Sequence, residues 1–182
     1  MMVRMQRLLL DLTAEELLTE LDKLAATDMD ERARRKFEDM IFGALIEKDP
    51  KLAMEHGGKR LLDDGFSWQM SSALRKWAER DPAAAAAWMD QQLAAGVFES
   101  KSLDGRNPIY PQYESGLVGA LLKNDLQAAI KRMEAIPEEQ RAAVFNSGIF
   151  KQVDQAKEGD LVTLVRQSAG DSRSWCLRRG VC

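Results

Sequence analysis

The chain has 182 residues, a formal net charge of −3 and a hydrophobic fraction of 45%. This length suits one domain of ordinary size with a substantial buried core. The slight acidic excess argues against nucleic acid as a partner, because nucleic-acid-binding domains usually carry a marked basic excess on one face. The many Ala, Leu, Glu, Lys and Arg residues favour helix, so we expect an all-α chain.

The beginning of the chain lacks a targeting or membrane-spanning pattern. Its apolar run over residues 8–10 is interrupted by Asp11 and is too short for a signal peptide or a membrane span. We therefore expect no membrane partner and a cytoplasmic location, unless a native leader precedes this sequence. The two cysteines, Cys176 and Cys182, would close only a small loop, so we expect no disulfide framework.

Helix-start signals open the chain. Thr13 followed by Glu16 matches a capping box and predicts a helix that begins directly after the threonine. Asp28 followed by Glu31 repeats that pattern and predicts a second helix over 29–47.

Later helices are predicted from apolar spacing. After residue 50 the paired glycines, Gly57 and Gly58, either break the third helix or allow a close crossing with a neighbour. Further helices are expected over 67–79, 82–94, 114–123, 126–136, 138–155 and 160–168.

The dipeptide Asp-Pro occurs twice, at Asp49 and Asp81. An Asp side chain can accept hydrogen bonds from the free N–H groups of a new helix, and Pro loses no bond at the first helical position. The residue before Pro also avoids the helical region, so the preceding helix must end there. Asp125 and Asp160 precede similar apolar segments without a proline, and we interpret all four aspartates as helix-to-helix corners.

The four corners align the chain into units. Seven and four residues before each aspartate stand two apolar columns: Phe42, Leu74, Val118, Val153 and Leu45, Trp77, Leu121, Ala156. The intervals resemble those of helical hairpins, apart from a longer one that contains the loop 99–112, rich in Ser, Gly, Asn and Pro. The sequence therefore predicts a right-handed α-solenoid-like array of about four antiparallel helix pairs, forming one domain over 1–182.

The segment Trp77-Ala78-Glu79-Arg80-Asp81-Pro82, followed by Ala86-Ala87-Trp88, resembles the junction between tetratricopeptide repeats. The likeness departs where that family has Leu-Gly, because this chain has Gln91-Gln92. The segment is also similar to bacterial repeat proteins of unassigned function with a Trp-Ala-x-x-Asp-Pro-x-Ala-Ala-x-x-x-Trp pattern. Either resemblance implies a helical-hairpin array that binds proteins or peptides, and neither supplies a catalytic residue.

Residues that could carry chemistry are sparse. The single histidine, His56, follows the apolar Leu52 and Ala53 and is predicted to be a partly buried structural side chain. No serine or cysteine lies in a nucleophile motif, and no Gly-rich phosphate loop is present. A zinc site formed by His56, Cys176 and Cys182 would need a fourth ligand. We therefore expect no enzymatic activity, no metal and no cofactor.

Four side chains are candidates for contact with a partner. Arg106, Tyr110 and Tyr113 supply a cation and two amphipathic rings in or beside the loop 99–112, and these residue types are enriched at binding hot spots. Trp88 occupies a repeat position where the other units carry polar side chains, which predicts partial exposure. The alternative for the loop is structural, with Ile109 and Tyr110 holding it against neighbouring helices.

Together these patterns indicate a non-catalytic protein-protein interaction scaffold that binds a protein or peptide. Two alternatives stay open at this point. One is a self-associating structural protein that forms a homo-oligomer through exposed apolar surface. The other is an enzyme with a site on the helical array, which a deep pocket lined by converging titratable residues would favour.

Overall fold

The computed structural model describes residues 8–63, 65–99, 107–149 and 157–168. Within these ranges all regular secondary structure is helical and no strand occurs, as the composition predicts. None of the helices in these ranges combines the length and the apolar character needed to cross a membrane. The chain divides into two compact units, Met1–Trp77 and Ala78–Cys182, which are described separately below.

In the described residues of the first unit, a short helical stretch over residues 8–11 precedes three helices and most of a fourth. They are α1 (Ala14–Ala26), α2 (Glu31–Lys48), α3 (Pro50–Gly57) with a 3₁₀ turn over Gly58–Arg60, and α4 (Phe66–Arg80), whose last residues belong to the second unit. The capping box before α1 is confirmed, since the Thr13 hydroxyl accepts from the Glu16 N–H at 3.2 Å. The Glu16 carboxylate in turn accepts from the Thr13 N–H at 2.7 Å.

The predicted capping box at Asp28 is wrong, because α2 begins two residues later than that pattern requires. Asp30 precedes the helix, and its carboxylate accepts from the Ala33 N–H at 3.0 Å. Either aspartate is chemically able to cap, so residue type alone does not decide between them.

Aromatic packing and one glycine shape the core of the first unit. The rings of Phe42 and Phe66 meet edge to face with centroids 4.9 Å apart. Both predicted roles of the paired glycines are present, because α3 ends at Gly57 and Gly57 also lies directly against Met70 of α4. A side chain at Gly57 would meet the Met70 thioether, so glycine permits this close crossing.

The second unit contains the remaining helices of the described ranges. They are α5 (Pro82–Ala94), α6 (Tyr110–Asn124), α7 (Leu126–Ala135), α8 (Glu138–Val144) with a π-helical turn over Phe145–Ile149, and α9 (Glu158–Ser168). The predicted helix 138–155 is therefore not one continuous α-helix, since Gly148 in the π turn has a φ of 126°. The predicted helix 82–94 is confirmed at both ends.

Helix α6 starts four residues before its predicted start at 114, so the inserted loop is shorter than 99–112. Asn107 explains the earlier start, because its side-chain oxygen accepts from the N–H groups of Ile109 at 2.9 Å and Tyr110 at 3.3 Å. Its amide nitrogen donates to the carbonyl of Phe98 at 3.2 Å. One side chain thus joins the two described ends of the loop.

Three of the four predicted corners are present and share one geometry. Asp49, Asp81 and Asp125 have φ values of −138°, −142° and −150° and ψ values of 88°, 84° and 104°. Each carboxylate accepts from the backbone N–H three residues later, at 2.9, 3.0 and 3.0 Å. The backbone N–H groups of Asp49 and Asp125 each donate to the preceding helix at 2.7 Å. A single aspartate therefore ends one helix and begins the next.

The fourth predicted corner, at Asp160, is wrong. Helix α9 begins at Glu158, so Asp160 lies inside its first turn, where it pairs with Lys157 at 2.9 Å. Neither Asp125 nor Asp160 precedes a proline, so the backbone at both positions is free to be helical, and only Asp125 adopts the extended conformation of a corner.

The two apolar columns are buried wherever the structure describes them. At most 7% of the surface is exposed for each of the six described members: Phe42, Leu74, Val118, Leu45, Trp77 and Leu121. Val153 and Ala156 lie outside the described residues. The periodicity therefore identified side chains that face the core.

Candidate functional site

A cavity of about 460 Å³ lies in the second unit. It is lined by residues of α5 (Pro82, Ala83, Ala86, Asp90), of α7 (Ala128, Lys131, Arg132, Ala135) and of the α6 to α7 corner (Leu121, Asn124, Asp125). We call it the alanine groove. Its two helical walls present side chains spaced three or four residues apart, which is the spacing of one helix face.

The alanine groove is open because its walls carry short side chains. Ala83 and Ala86 belong to a run of five alanines at the beginning of α5, and Ala128 and Ala135 lie on the facing wall of α7. Alanine is the strongest helix former, so the walls keep their helical structure without long side chains to fill the space between them. The result is an apolar trough whose charged groups belong to four residues: Asp90, Asp125, Lys131 and Arg132.

One wall of the alanine groove holds a charged cluster that joins three helices. Glu114 of α6 is completely buried, and the guanidinium of Arg132 in α7 binds it through two hydrogen bonds, Nη2 to Oε1 at 2.6 Å and Nε to Oε2 at 2.9 Å. The Nη1 group of Arg132 also donates to Oδ1 of Asp90 in α5. Paired, bidentate geometry of this kind is the strong form of a charge-assisted hydrogen bond.

The surroundings of Arg132 favour its charged form. Burial alone would lower the pKa of Arg132, but the hydrogen bonds and charges of Glu114 and Asp90 outweigh burial and raise that pKa above its ordinary range. Two carboxylates face one guanidinium, so the cluster carries one net negative charge. Glu114 is fully buried, whereas the Asp90 side chain is 62% exposed, so Asp90 presents this negative charge to solvent.

Tyr110 and Tyr113, predicted to contact a partner, lie inside the second unit. Tyr110 is 7% exposed and Tyr113 is fully buried, with ring centroids 5.9 and 5.1 Å from that of Phe98. This placement does not supply the exposed rings that a contact surface needs, because both rings are used in packing. The burial of Tyr110 matches the structural alternative, in which this ring holds the loop against neighbouring helices. Arg106, the other predicted contact residue of the loop, lies outside the described residues.

Burial also determines how the two tyrosines ionise. It raises the pKa of Tyr110 above its ordinary value, and the nearby negative charge of Glu114 adds to the effect. Burial alone raises the pKa of Tyr113. Both phenols therefore stay neutral at physiological pH, and neither is poised to act as a general base.

The tryptophans differ in their surroundings. Trp77 is buried, Trp88 is half-buried as the repeat register predicts, and Trp68 is 68% exposed. Trp88 does not line the alanine groove. The exposure of Trp68 was missed, although a signal existed, since the buried face of α4 includes Phe66 and Met70 and Trp68 lies off that face.

The prediction for His56 is wrong, because this side chain is exposed near the end of α3. The buried positions of that helix are Pro50, Ala53, Met54 and Gly57, and His56 lies beside that face. Within the described part of the chain, no group of three or more His, Cys, Asp or Glu side chains is arranged to hold a metal ion.

A second cavity, of about 370 Å³, lies in the first unit around Arg60. The Arg60 guanidinium pairs with Glu38 at 2.8 Å and with Asp63 at 3.0 Å, and it lies 4.0 Å from the centroid of the Phe66 ring. These contacts engage the cation from several sides. The cluster thus has a structural role, since it joins α2 to the segment that precedes α4.

Comparisons of the chain with protein-family models, with curated proteins and with solved structures found no match. The resemblance to tetratricopeptide repeats therefore stays a prediction.

Proposed function

We propose that the chain is a non-catalytic protein-interaction scaffold, whose helix pairs are repeats of an α-solenoid-like array, and that the alanine groove binds an apolar peptide segment of a partner protein. The shared geometry of Asp49, Asp81 and Asp125 supports the repeats. The observation that carries the binding proposal is the groove itself, an apolar trough between two helices with charged groups at its wall.

The size and chemistry of the groove fit a peptide. Ligand sites commonly have volumes of about 300 to 1,000 Å³ and combine apolar walls with a few polar groups that orient the ligand. A groove between helices is one recurring way to accept the apolar side chains of a peptide. Asp125 caps a helix, and Arg132 binds Glu114 and one carboxylate oxygen of Asp90. Only Lys131 and the exposed part of Asp90 are left among the ionisable side chains at the wall, which argues for binding over acid-base catalysis.

A second candidate function is self-association through the first unit. Trp68 is 68% exposed and Leu62 is 38% exposed, and large apolar side chains at a surface favour contact between protein copies. We expect light scattering to give a concentration-dependent mass that Trp68→Ser returns to the monomer. A monomeric wild type at every concentration would contradict this candidate.

Peptide binding can be tested by selection from a phage-displayed library of random 12-residue peptides, with purified full chain as the target. The blocked variant carries Ala83→Gln and Ala86→Gln, which place two longer neutral side chains into the groove. Its matched control carries Ala84→Gln and Ala87→Gln, the same changes one position along α5 and outside the residues that line the groove. Both variants keep good helix formers in α5.

We expect the enriched peptides to bind the wild type and the control with similar Kd, and to bind the blocked variant at least about tenfold more weakly, a difference of about 1.4 kcal/mol. Circular dichroism of all three proteins establishes that they are folded. A library that yields no peptide, or only peptides that bind the blocked variant equally well, would overturn the alanine groove as a peptide site.

A further inference from the structure

We infer that the peptide taken by the alanine groove carries a lysine or arginine, whose cation pairs with the carboxylate of Asp90. This inference rests on the proposed function and specifies the chemistry of the partner. It follows from which charged groups around the groove are already engaged and which remain available.

Two of the four charged groups at the groove are committed to the fold. The Asp125 carboxylate accepts the Ala128 N–H at 3.0 Å and caps α7. The guanidinium of Arg132 donates hydrogen bonds to both Glu114 and Asp90, and the Arg132 side chain is only 10% exposed. Asp90 and Lys131 therefore remain as the groups that can orient a ligand.

Asp90 is the better anchor of these two. Its Oδ1 atom is held by Arg132, so the carboxylate is positioned before a ligand arrives, and 62% of the side chain stays exposed. A group already held in place loses less conformational entropy on binding. Lys131 is exposed, so its long side chain can turn toward solvent as a cation approaches.

The buried carboxylate of Glu114 makes the net charge of the cluster negative. With Asp90 alone, Arg132 would form a neutral pair and would offer little attraction for a cation. Glu114 adds a second negative charge and holds Arg132 through two hydrogen bonds, so the cluster keeps one net negative charge at its exposed member, Asp90. Glu114 is therefore a positioning residue for the groove.

The test uses the selected peptides that bind the blocked variant at least about tenfold more weakly than the wild type. We expect them to contain a basic residue among apolar ones. For a synthetic peptide from this set, fluorescence anisotropy should show that Asp90→Asn weakens binding by about five- to tenfold. Replacing the basic residue of the peptide with glutamine should weaken binding to the wild type by the same factor as Asp90→Asn does. The same replacement should cause little further loss of affinity for the Asp90→Asn variant, because the basic residue and Asp90 interact with each other.

Lys131→Gln is the matched control, because it removes an opposite charge at the same groove. It should leave the affinity for the basic peptide unchanged or raise it. Two outcomes would overturn the inference while leaving the groove as a peptide site. In one, the groove-dependent peptides lack basic residues. In the other, the losses of binding free energy from Asp90→Asn and from the change in the peptide are additive. A lack of any groove-dependent peptide would overturn both.

Discussion

Gly57 and Met70 approach each other so closely that a Cβ at Gly57 would force the end of the Met70 side chain to move. A Cβ built on Gly57 would lie 2.4 Å from Cε and 2.7 Å from Sδ of Met70, which is itself fully buried. We expect Gly57→Ala to lower the free energy of unfolding by about 1 to 3 kcal/mol, the usual cost of overpacking. Urea denaturation measures this change.

Gly43 supplies the control for this prediction. It lies within α2, and a Cβ placed there would meet no atom within 4 Å. Gly43→Ala should therefore stabilise the chain by about 0.5 to 1 kcal/mol through helix propensity. Equal changes in the free energy of unfolding for Gly57→Ala and Gly43→Ala would contradict the close crossing. It would also be contradicted if Gly57→Ala lowered stability by the same amount in a Met70→Ala background as in the wild type.

The two tyrosines of the chain are Tyr110 and Tyr113, so the absorbance of tyrosinate at alkaline pH reports on these two rings. Their pKa values are raised above the ordinary 10.0. Because the unfolded chain releases these protons near pH 10 and the folded chain keeps them, stability is fully present below pH 10 and falls above it. We expect tyrosinate to appear together with unfolding. A titration near pH 10 in the folded protein would show that at least one ring is exposed.

Helix capping by the corner aspartates can be measured one residue at a time. Replacing Asp49, Asp81 or Asp125 with alanine removes an acceptor for a helix N–H group and should cost about 1 kcal/mol in each case. Asp160→Ala should cost less, because Asp160 lies within the first turn of α9. Equal denaturant midpoints for Asp81→Ala and the wild type would refute the capping role.

Glu114 and Arg132 form the buried ion pair of the second unit. Glu114→Ala leaves a largely buried guanidinium with one partner fewer and should cost about 3 to 5 kcal/mol. The double variant Glu114→Leu, Arg132→Met should cost clearly less than the sum of its single changes, because apolar side chains of similar size need no pairing. Additive losses in thermal or urea unfolding would show that the two groups do not depend on each other.

Local chemistry explains which parts of the fold were predictable. Asp-Pro restricts the backbone within two residues, and the corners at Asp49 and Asp81 follow from it. Helix periodicity likewise predicted the buried columns, since one face of a helix must point to the core. Without a following proline the backbone is not restricted in this way, and the same apolar pattern predicted a corner correctly at Asp125 and wrongly at Asp160.

The candidate site was less predictable because its parts are distant in sequence. Glu114 and Arg132 come from different helices, and Asp90 from a third. A weak signal was present, since Glu114 lies among residues that are otherwise apolar or small from Tyr113 to Leu122. Residue type alone misplaced Tyr110 and Tyr113, because rings that favour interfaces favour a core equally well.

The corner aspartates also determine where such a chain can change length during evolution. Asp49 and Asp125 each end one helix and begin the next without any intervening residue. An inserted residue inside a flanking helix would rotate its remainder by about 100° and turn its apolar side away from the core. Between α5 and α6, Asn107 joins Phe98 to the beginning of α6, so a change in the number of residues between these two points leaves both helices in register. Insertions and deletions should therefore accumulate there and be excluded from the corners.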